Sequence, residues 1–244
     1  MTPEPMPSCG SENGSLGFAP ATASIVTTAG LTRAAARRYL LTLTKLGYAE
    51  YDGRRFALTP LVLRLGYAYF SSAPLPKLAQ PVLERIGERT HEVASIAVLD
   101  GSDVLFLGQS TRRRILSAAT GAGTRLPGYC TAMGRVLLAS RSDAEIERLL
   151  KGIRPKKLTP KTRTGARELF EAILQARRQG YAISDEELEL GLRSIAVPVT
   201  NSRGQTVVAI AVSLQAARMT PAQMIERLLP ALQSGKLELA TILP

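Results

Sequence analysis

Between Gly30 and Leu58 the chain sets out a helix, a stop, a strand, a tight turn and a returning strand in immediate succession, an order that few small folds accept. Thr32 stands where an N-cap is wanted and opens an expected helix running to about Leu46. Gly47 then offers the left-handed conformation that closes a helix. Leu40, Leu43 and Leu46 recur at spacing three with Ala36 on the same face, which predicts a packed side. Arg33, Arg37 and Lys45 fall largely on other faces. After Gly47, Tyr48 to Tyr51 alternates in character, Asp52-Gly53 marks a tight turn, and Arg54 to Leu58 returns, so a basic-tipped β-hairpin is expected. Ahead of all this, Ser24 to Ala29 reads as a short helix stopped by Gly30, separated from the basic helix by a short turn.

Two helices at a short turn, the second basic, with a basic hairpin behind them, form the arrangement that reads duplex DNA as a winged helix-turn-helix. The second helix enters the major groove and the wing grips the backbone. Charge supports this. From Leu31 to Arg64 there are seven basic residues (Arg33, Arg37, Arg38, Lys45, Arg54, Arg55, Arg64) against Glu50 and Asp52, while the net charge of the whole chain is +11. Every cation placed on a phosphate releases counterions, so double-stranded DNA is the leading partner and an anionic membrane surface the weaker one. Thr32, Arg33, Arg37 and Arg38 are the residues aimed at DNA, and Arg54 and Arg55 belong on phosphates. Arg112, Arg113 and Arg114 form a smaller second cluster.

No apolar run reaches the eighteen or so residues that a bilayer span needs, and no signal segment is evident, so a cytoplasmic protein without a membrane partner is expected. Cys9 and Cys130 are the only cysteines, too few for a disulfide framework or a cysteine zinc site. Residues 1–20, rich in Pro, Gly and Ser, read as a flexible leader. Residues 21–59 form the DNA-binding domain, 60–73 a linker helix beginning at Thr59-Pro60, and 74–244 a second domain. There, helices are expected at Lys77–Thr90, Ala132–Ser140, Ser142–Lys151, Thr164–Gln179 and Pro221–Ser234. Strands are expected at Val93–Leu99, Val104–Gly108, Ile115–Ala119, Tyr181–Ser184, Ser194–Thr200 and Thr206–Leu214. Hairpin-joined strands with intervening helices make the fold class α+β, with a largely antiparallel sheet flanked by helices.

Other signals are weaker. Gly121-Ala122-Gly123 lacks the rest of a nucleotide-binding fingerprint and reads as a flexible turn. Asp185-Glu186-Glu187 has the carboxylates for a cation but reads first as a solvated loop. Cys130 is either a reactive thiol or, more commonly for a lone cysteine, a small buried hydrophobe. His91, the only histidine, has no nucleophile elbow and no second base near it in sequence and reads as a surface or capping residue. No catalytic residue, metal site or cofactor is expected.

The run Gly30-Leu-Thr-Arg-Ala-Ala-Ala-Arg-Arg-Tyr-Leu-Leu-Thr-Leu, with Gly47-Tyr48, Tyr51-Asp-Gly-Arg-Arg-Phe-Ala-Leu-Thr-Pro and Leu63-Arg-Leu-Gly-Tyr, resembles the DNA-binding half of IclR-family regulators. The likeness continues through Arg125-Leu-Pro-Gly-Tyr-Cys-Thr-Ala-Met-Gly-Arg-Val-Leu-Leu-Ala, Tyr181-Ala-Ile-Ser-Asp-Glu-Glu, Gly191 and Ser194-Ile-Ala-Val-Pro-Val. Within the family it is most similar to the branch controlling protocatechuate, 4-hydroxybenzoate and β-ketoadipate catabolism. The resemblance implies a homodimer or homotetramer and a carboxylic-acid effector, a small aromatic or dicarboxylic acid. The effector would lie in a pocket closed by Thr131, Ala132, Met133 and Gly134, with Asp185, Ser194 and Ser213 from other segments. N–H groups at a helix start favour a carboxylate, and Arg125 offers it a bidentate contact. One departure stands out: family members begin with a helix under the recognition helix, and here Gly14, Gly17 and Pro20 oppose one. Two functions therefore remain open, a DNA-reading, acid-responsive regulator and a ligand-sensing oligomerisation module with an impaired DNA-binding domain. An enzyme acting through Asp185 and Arg125 is disfavoured by the lack of a base, nucleophile or metal cluster.

Overall fold

The computed structural model describes residues 31–65, 74–111 and 121–243. The chain divides into two compact units between Ser71 and Ser72. The leader, the Ser24–Ala29 helix, the departure before Ile25, the Arg112–Arg114 cluster, the Ile115–Ala119 strand and most of the 60–73 linker helix lie outside the described residues.

In the first unit, helix α1 (Arg33–Lys45) begins where the Thr32 hydroxyl accepts the Ala35 N–H at 3.3 Å. It ends on Gly47, with φ of 80°. Gly47 N–H donates to Thr44 O at 3.0 Å and Tyr48 N–H to Leu43 O at 2.9 Å, so two carbonyls that the helix end would orphan are satisfied. Ala36 and Leu40 are buried and Leu43 half-buried, but Leu46 is 59% exposed, contrary to the expected packing face. Each step of three residues falls short of a full turn by roughly 60°, so the third leucine has drifted off the buried arc. Strands β1 (Ala49–Tyr51) and β2 (Phe56–Leu58) pair antiparallel, with Tyr51 opposite Phe56 and the two rings stacked at 4.3 Å. Thr59 Oγ1 donates to Gly47 O at 2.5 Å, tying the hairpin back to the helix end.

The second unit is a three-layer sandwich. Its sheet contains β3 (Val93–Asp100), β4 (Asp103–Gln109), β5 (Arg125–Pro127), β6 (Ala182–Asp185), β7 (Leu192–Thr200) and β8 (Thr206–Gln215), antiparallel throughout in the order β5-β4-β3-β8-β7-β6. Period-two alternation gives its faces different characters. One face carries Ile96, Ile195, Val197, Val208, Ile210 and Val212 and packs on α2 (Pro74–Thr90) and α7 (Leu229–Ile242). The other carries Ala97, Ala196, Ala209 and Ala211 beneath α3 (Ala132–Leu138), α4 (Asp143–Gly152) and α5 (Ala166–Gln179). These small side chains let α3 lie directly on the sheet, and every one of its residues is buried.

Two features were not anticipated. Strand β5 is too short to show a period. The expected Pro221–Ser234 helix is two helices, α6 (Pro221–Arg227) and α7, which breaks at Leu228 ahead of Pro230, a residue suited to a helix start and hostile to a helix interior. Gly235 continues α7 because it fits against α2: a Cβ there would meet Ile86 Cδ1 at 2.6 Å. No helix among the described residues is long and apolar enough to cross a membrane.

The tightest setting among the described glycines of this unit is Gly134 of α3 against Gly128, where a Cβ on Gly134 would stand 2.2 Å from Gly128 O and 2.3 Å from its Cα. Backbone cannot rotate away as a side chain can. Gly134→Ala is expected to lower stability by about 2–3 kcal/mol, read as a lower urea midpoint with unchanged slope.

Candidate ligand pocket and nucleic-acid interface

Arg33, Arg37 and Arg38 all stand exposed on α1, and none of their side chains makes a hydrogen bond or ion pair with another described residue. Tyr39, which the sequence reading left unassigned, is 61% exposed beside them. A helical projection shows it off the buried arc, so the signal was present. At the wing, the Asp52 carboxylate accepts the N–H of Arg54 at 2.7 Å and of Arg55 at 2.6 Å, while Asp52 N–H donates to Arg55 O at 3.2 Å. The turn therefore spans both arginines, which lie in the loop rather than in the returning strand as expected. Gly53 holds φ of 95° and its carbonyl accepts the Tyr51 hydroxyl at 2.6 Å. Hydrogen bonds from Arg55 and then Arg54 hold the Asp52 carboxyl below its ordinary value of 3.8, so the turn is braced by an ionised carboxylate at neutral pH. The effect is to present the Arg54 and Arg55 side chains to solvent on a fixed tip.

In the second unit a cavity of about 40 Å³ lies between the start of α3 and the small-residue face of the sheet. Its floor is Ser194 of β7 with Ser213 and Ala211 of β8, and the two serines are direct cross-strand partners. Thr131, Ala132 and Met133 form the opposite wall, and Phe106, Leu126, Leu188 and Leu192 close the sides. Neither serine hydroxyl bonds to another described residue. Thr131 Oγ1, by contrast, caps α3 by accepting Gly134 N–H at 3.2 Å and lies 3.2 Å from Pro127 O, to which it donates. The N–H groups of Ala132 and Met133, in the first turn, have no intrahelical acceptor. The site thus offers two hydroxyls and two amides inside apolar walls, which suits a small acid with an apolar body.

The structure brings Thr131, Ala132, Met133, Ser194 and Ser213 together here. Gly134 sits one turn-position further in and serves the contact with Gly128. Arg125 and Asp185 are elsewhere. Arg125, exposed on edge strand β5, lies 3.3 Å from both Asp100 and Asp103. Asp185, on the opposite edge strand, accepts Arg193 Nε at 2.7 Å. The wall residues Phe106, Leu126, Leu188, Leu192 and Ala211 were not singled out from sequence. Ala211 had a readable signal, since it lies two residues from Ser213 on one strand face.

The acidic run is not a solvated loop throughout. Glu187 is buried and its carboxylate binds the guanidinium of Arg135, itself buried on α3. Arg135 also donates to Ile183 O at 3.0 Å and Tyr129 O at 3.2 Å. Thr162 Oγ1 donates to Glu187 O at 2.6 Å, Thr159 Oγ1 to Glu186 O at 2.7 Å, and Lys161 pairs with Glu186. Leu188, on the pocket wall, therefore follows a fixed point. Cys130 is fully buried, and burial pushes its thiol up to about 12, the hydrophobe's behaviour rather than the nucleophile's. His91 is exposed at the α2–β3 junction with φ of 58°. Gly121 to Thr124 is a turn closed by Thr124 N–H on Gly121 O at 3.0 Å. Among the described residues no group of three or more His, Cys, Asp or Glu is placed to hold a metal ion.

An exposed basic helix with a basic wing in one unit, and a walled cavity in the other, are the parts of a DNA-binding regulator with a separate sensory domain. Residues 19–53 match the family model of the IclR helix-turn-helix domain and residues 67–239 that of the bacterial transcriptional regulator IclR C-terminal domain. The chain is 45% identical over 210 residues to the Pca regulon regulatory protein of Pseudomonas putida, covering 86% of this chain and 72% of that one. It is 40% identical over 220 residues to the p-hydroxybenzoate hydroxylase transcriptional activator of Acinetobacter baylyi, covering 87% and 80%. A crystal structure of a transcriptional regulator from Rhodococcus sp. RHA1 superposes with a TM-score of 0.72 at 41% identity, over 90% of this chain and 88% of that one. The inducer-binding domain of the Acinetobacter PobR transcription factor, a double mutant in complex with 3-hydroxybenzoic acid, superposes with a TM-score of 0.63 at 34% identity, over 68% and 97%. The chain belongs to the IclR family of DNA-binding transcriptional regulators, which are transcription factors and not enzymes.

Removing one member of the Arg135–Glu187 pair leaves the other as a buried uncompensated charge. Glu187→Gln is expected to cost about 3–5 kcal/mol, whereas Arg135→Met with Glu187→Met recovers most of that loss. Chemical denaturation of the native chain and these two variants checks this ordering.

Proposed function

We propose that this regulator responds to a small aromatic carboxylic acid held in the α3 cavity and controls an operon for aromatic-acid breakdown of the protocatechuate or β-ketoadipate type. The observation that carries the reading is the facing pair of unbonded serine hydroxyls, Ser194 and Ser213, under the first turn of α3 and within apolar walls. The carboxylate meets Ala132 and Met133 N–H, the serines orient it, and Phe106, Leu126 and Leu188 surround the ring. Support also comes from the relatives, whose names refer to a pca regulon and to p-hydroxybenzoate hydroxylase, and from the 3-hydroxybenzoic acid complex of a similar domain. On this reading Thr131 and Gly134 build the pocket rather than contact the acid, and Arg125 and Asp185 take no part. Residues 21–59 are the DNA-binding domain, 60–73 the linker and 74–244 the sensory domain. The protein acts as a homo-oligomer whose paired readers meet two half-sites.

For the DNA contact, Arg33→Ala or Arg37→Ala is expected to reduce binding to the operator far more than to unrelated duplex. Arg54→Ala with Arg55→Ala weakens both alike and lowers the salt slope by about two. Mobility shifts across a salt series measure this, and equal losses on both duplexes for Arg33→Ala sink the assignment of α1 as the reading helix.

For the sensor, thermal-shift titrations of the full chain with protocatechuate, 4-hydroxybenzoate, β-ketoadipate and pyruvate are expected to show a rise in Tm with an aromatic acid. A ligand at a hundred times its Kd stabilises by about 2.7 kcal/mol. Ser194→Ala with Ser213→Ala weakens that acid about tenfold or more, two hydrogen bonds at about 1 kcal/mol each. A response to pyruvate alone defeats the aromatic assignment.

A further inference from the structure

A second cavity of about 320 Å³ opens along the β6 edge of the sheet, between residues of α5 and α6. It takes in Asp185, which the first cavity does not. Its carboxylates are committed. Asp185 is bonded to Arg193 at 2.7 Å with Lys161 at 3.9 Å, and Glu187 is held by Arg135. One of its cations is held only by long ion pairs. Arg163 Nε lies 3.8 Å from Glu168 and 3.9 Å from Glu187, both beyond hydrogen-bonding distance, and the side chain donates to no described residue.

The remaining lining fixes the rest of the ligand. Gln175 bonds only to Gln179, at a long 3.5 Å, and the Tyr181 hydroxyl bonds to no described residue, so both can meet hydroxyl groups. Ile183, Pro221 and Ile225 offer apolar contact. With a single guanidinium free of hydrogen bonds, itself in long ion pairs with Glu168 and Glu187, a monoanion is favoured and a dianion is opposed by Asp185 and Glu187. We propose that this cavity binds a small hydroxylated monocarboxylic acid, its carboxylate on Arg163 and its hydroxyls on Gln175 and Tyr181, at a site separate from the α3 cavity.

The full chain is titrated with gluconate and with lactate, against sorbitol as the uncharged control and inorganic phosphate as the dianion, with Tm as the readout. Two variants separate the cavities. Arg163→Gln removes the half-exposed cation here, and Ser213→Leu fills the α3 cavity, so failure of the aromatic-acid reading leaves this result untouched. One of the two monoacids raises Tm in the native chain and in Ser213→Leu, and Arg163→Gln weakens it about tenfold to a hundredfold. The proposal is overturned if neither acid shifts Tm at tens of millimolar, or if sorbitol or phosphate acts equally. It is also overturned if Arg163→Gln binds as the native chain does, or if Ser213→Leu abolishes the response.

Discussion

Helix α3 lies flat on the sheet, and the rest of the sensory unit is arranged around that contact. A fully buried seven-residue helix needs room beneath it and polar satisfaction at its ends. The room comes from Ala97, Ala196, Ala209 and Ala211 on one sheet face and from the glycine pair Gly128 and Gly134. The polar requirement is met by Thr131 at its N-cap and by Arg135, whose guanidinium reaches the preceding turn, edge strand β6 and Glu187. That one side chain covers the Ile183 carbonyl, which an edge strand otherwise leaves open. The cavity is a by-product of the same geometry, since Ser194, Ser213 and Ala211 leave space just where the helix starts.

The opposite sheet face solves a simpler problem. There β-branched residues alternate along β7 and β8 and meet the leucines and valines of α2 and α7. Each such side chain, fully buried, stabilises by about 1.5–3 kcal/mol relative to exposure. The branched face secures the fold, and the small-residue face is free to hold the cavity. In the DNA-binding unit a similar division separates Ala36, Leu40, Ala49 and Phe56 inside from the exposed arginines outside.

How much of this could be read from sequence depended on whether the cause was local. Helix α1, its cap, its glycine stop and the hairpin were legible because neighbours in sequence decide them. So were β3, β4, β7 and β8, which are long enough to show their period. Asp52 shows the limit even of local signals: the Asp-Gly pair announced a turn, but the bonds from Arg54 and Arg55 widened it. Leu46 was misplaced because spacing by three looks helical over one step and fails on the second. Glu187 resembled its exposed neighbours because its partner is 52 positions away. Arg125 and Asp185 carry the right chemistry for an acid, yet the sheet order puts them on opposite edges, a fact no linear pattern contains. Five of the eight residues first associated with the pocket do line it, and all five lie on α3's start or on β7 and β8.

The size of the α3 cavity constrains how the proposed acid enters. At about 40 Å³ it is well below the roughly 150 Å³ that admits benzene into an apolar protein cavity. An aromatic acid therefore selects a conformation in which wall side chains have withdrawn, and it shifts the protein only as far as it prefers that conformation. Phe106, Leu126, Leu192, Ala211 and the serines are fixed by the sheet and Met133 by the buried helix, which leaves Leu188. It belongs to the segment that leads from β6 to β7, and both ends of that segment are anchored. Glu187 is tied to Arg135 and Thr162, and Glu186 to Lys161 and Thr159, while Gly191 N–H donates to Glu186 at 2.9 Å and the Gly191 carbonyl accepts Ala216 N–H at 2.8 Å; between these ends Leu190 is 59% exposed. Withdrawal confined to residues 188–190 opens the cavity without breaking the buried pair. Movement of Glu187 itself would set its charge and that of Arg135 adrift at a cost of several kcal/mol, more than a small ligand readily offsets. The ion pair thus fixes where the wall stops moving, and the segment beyond it is where occupancy of the cavity can be registered.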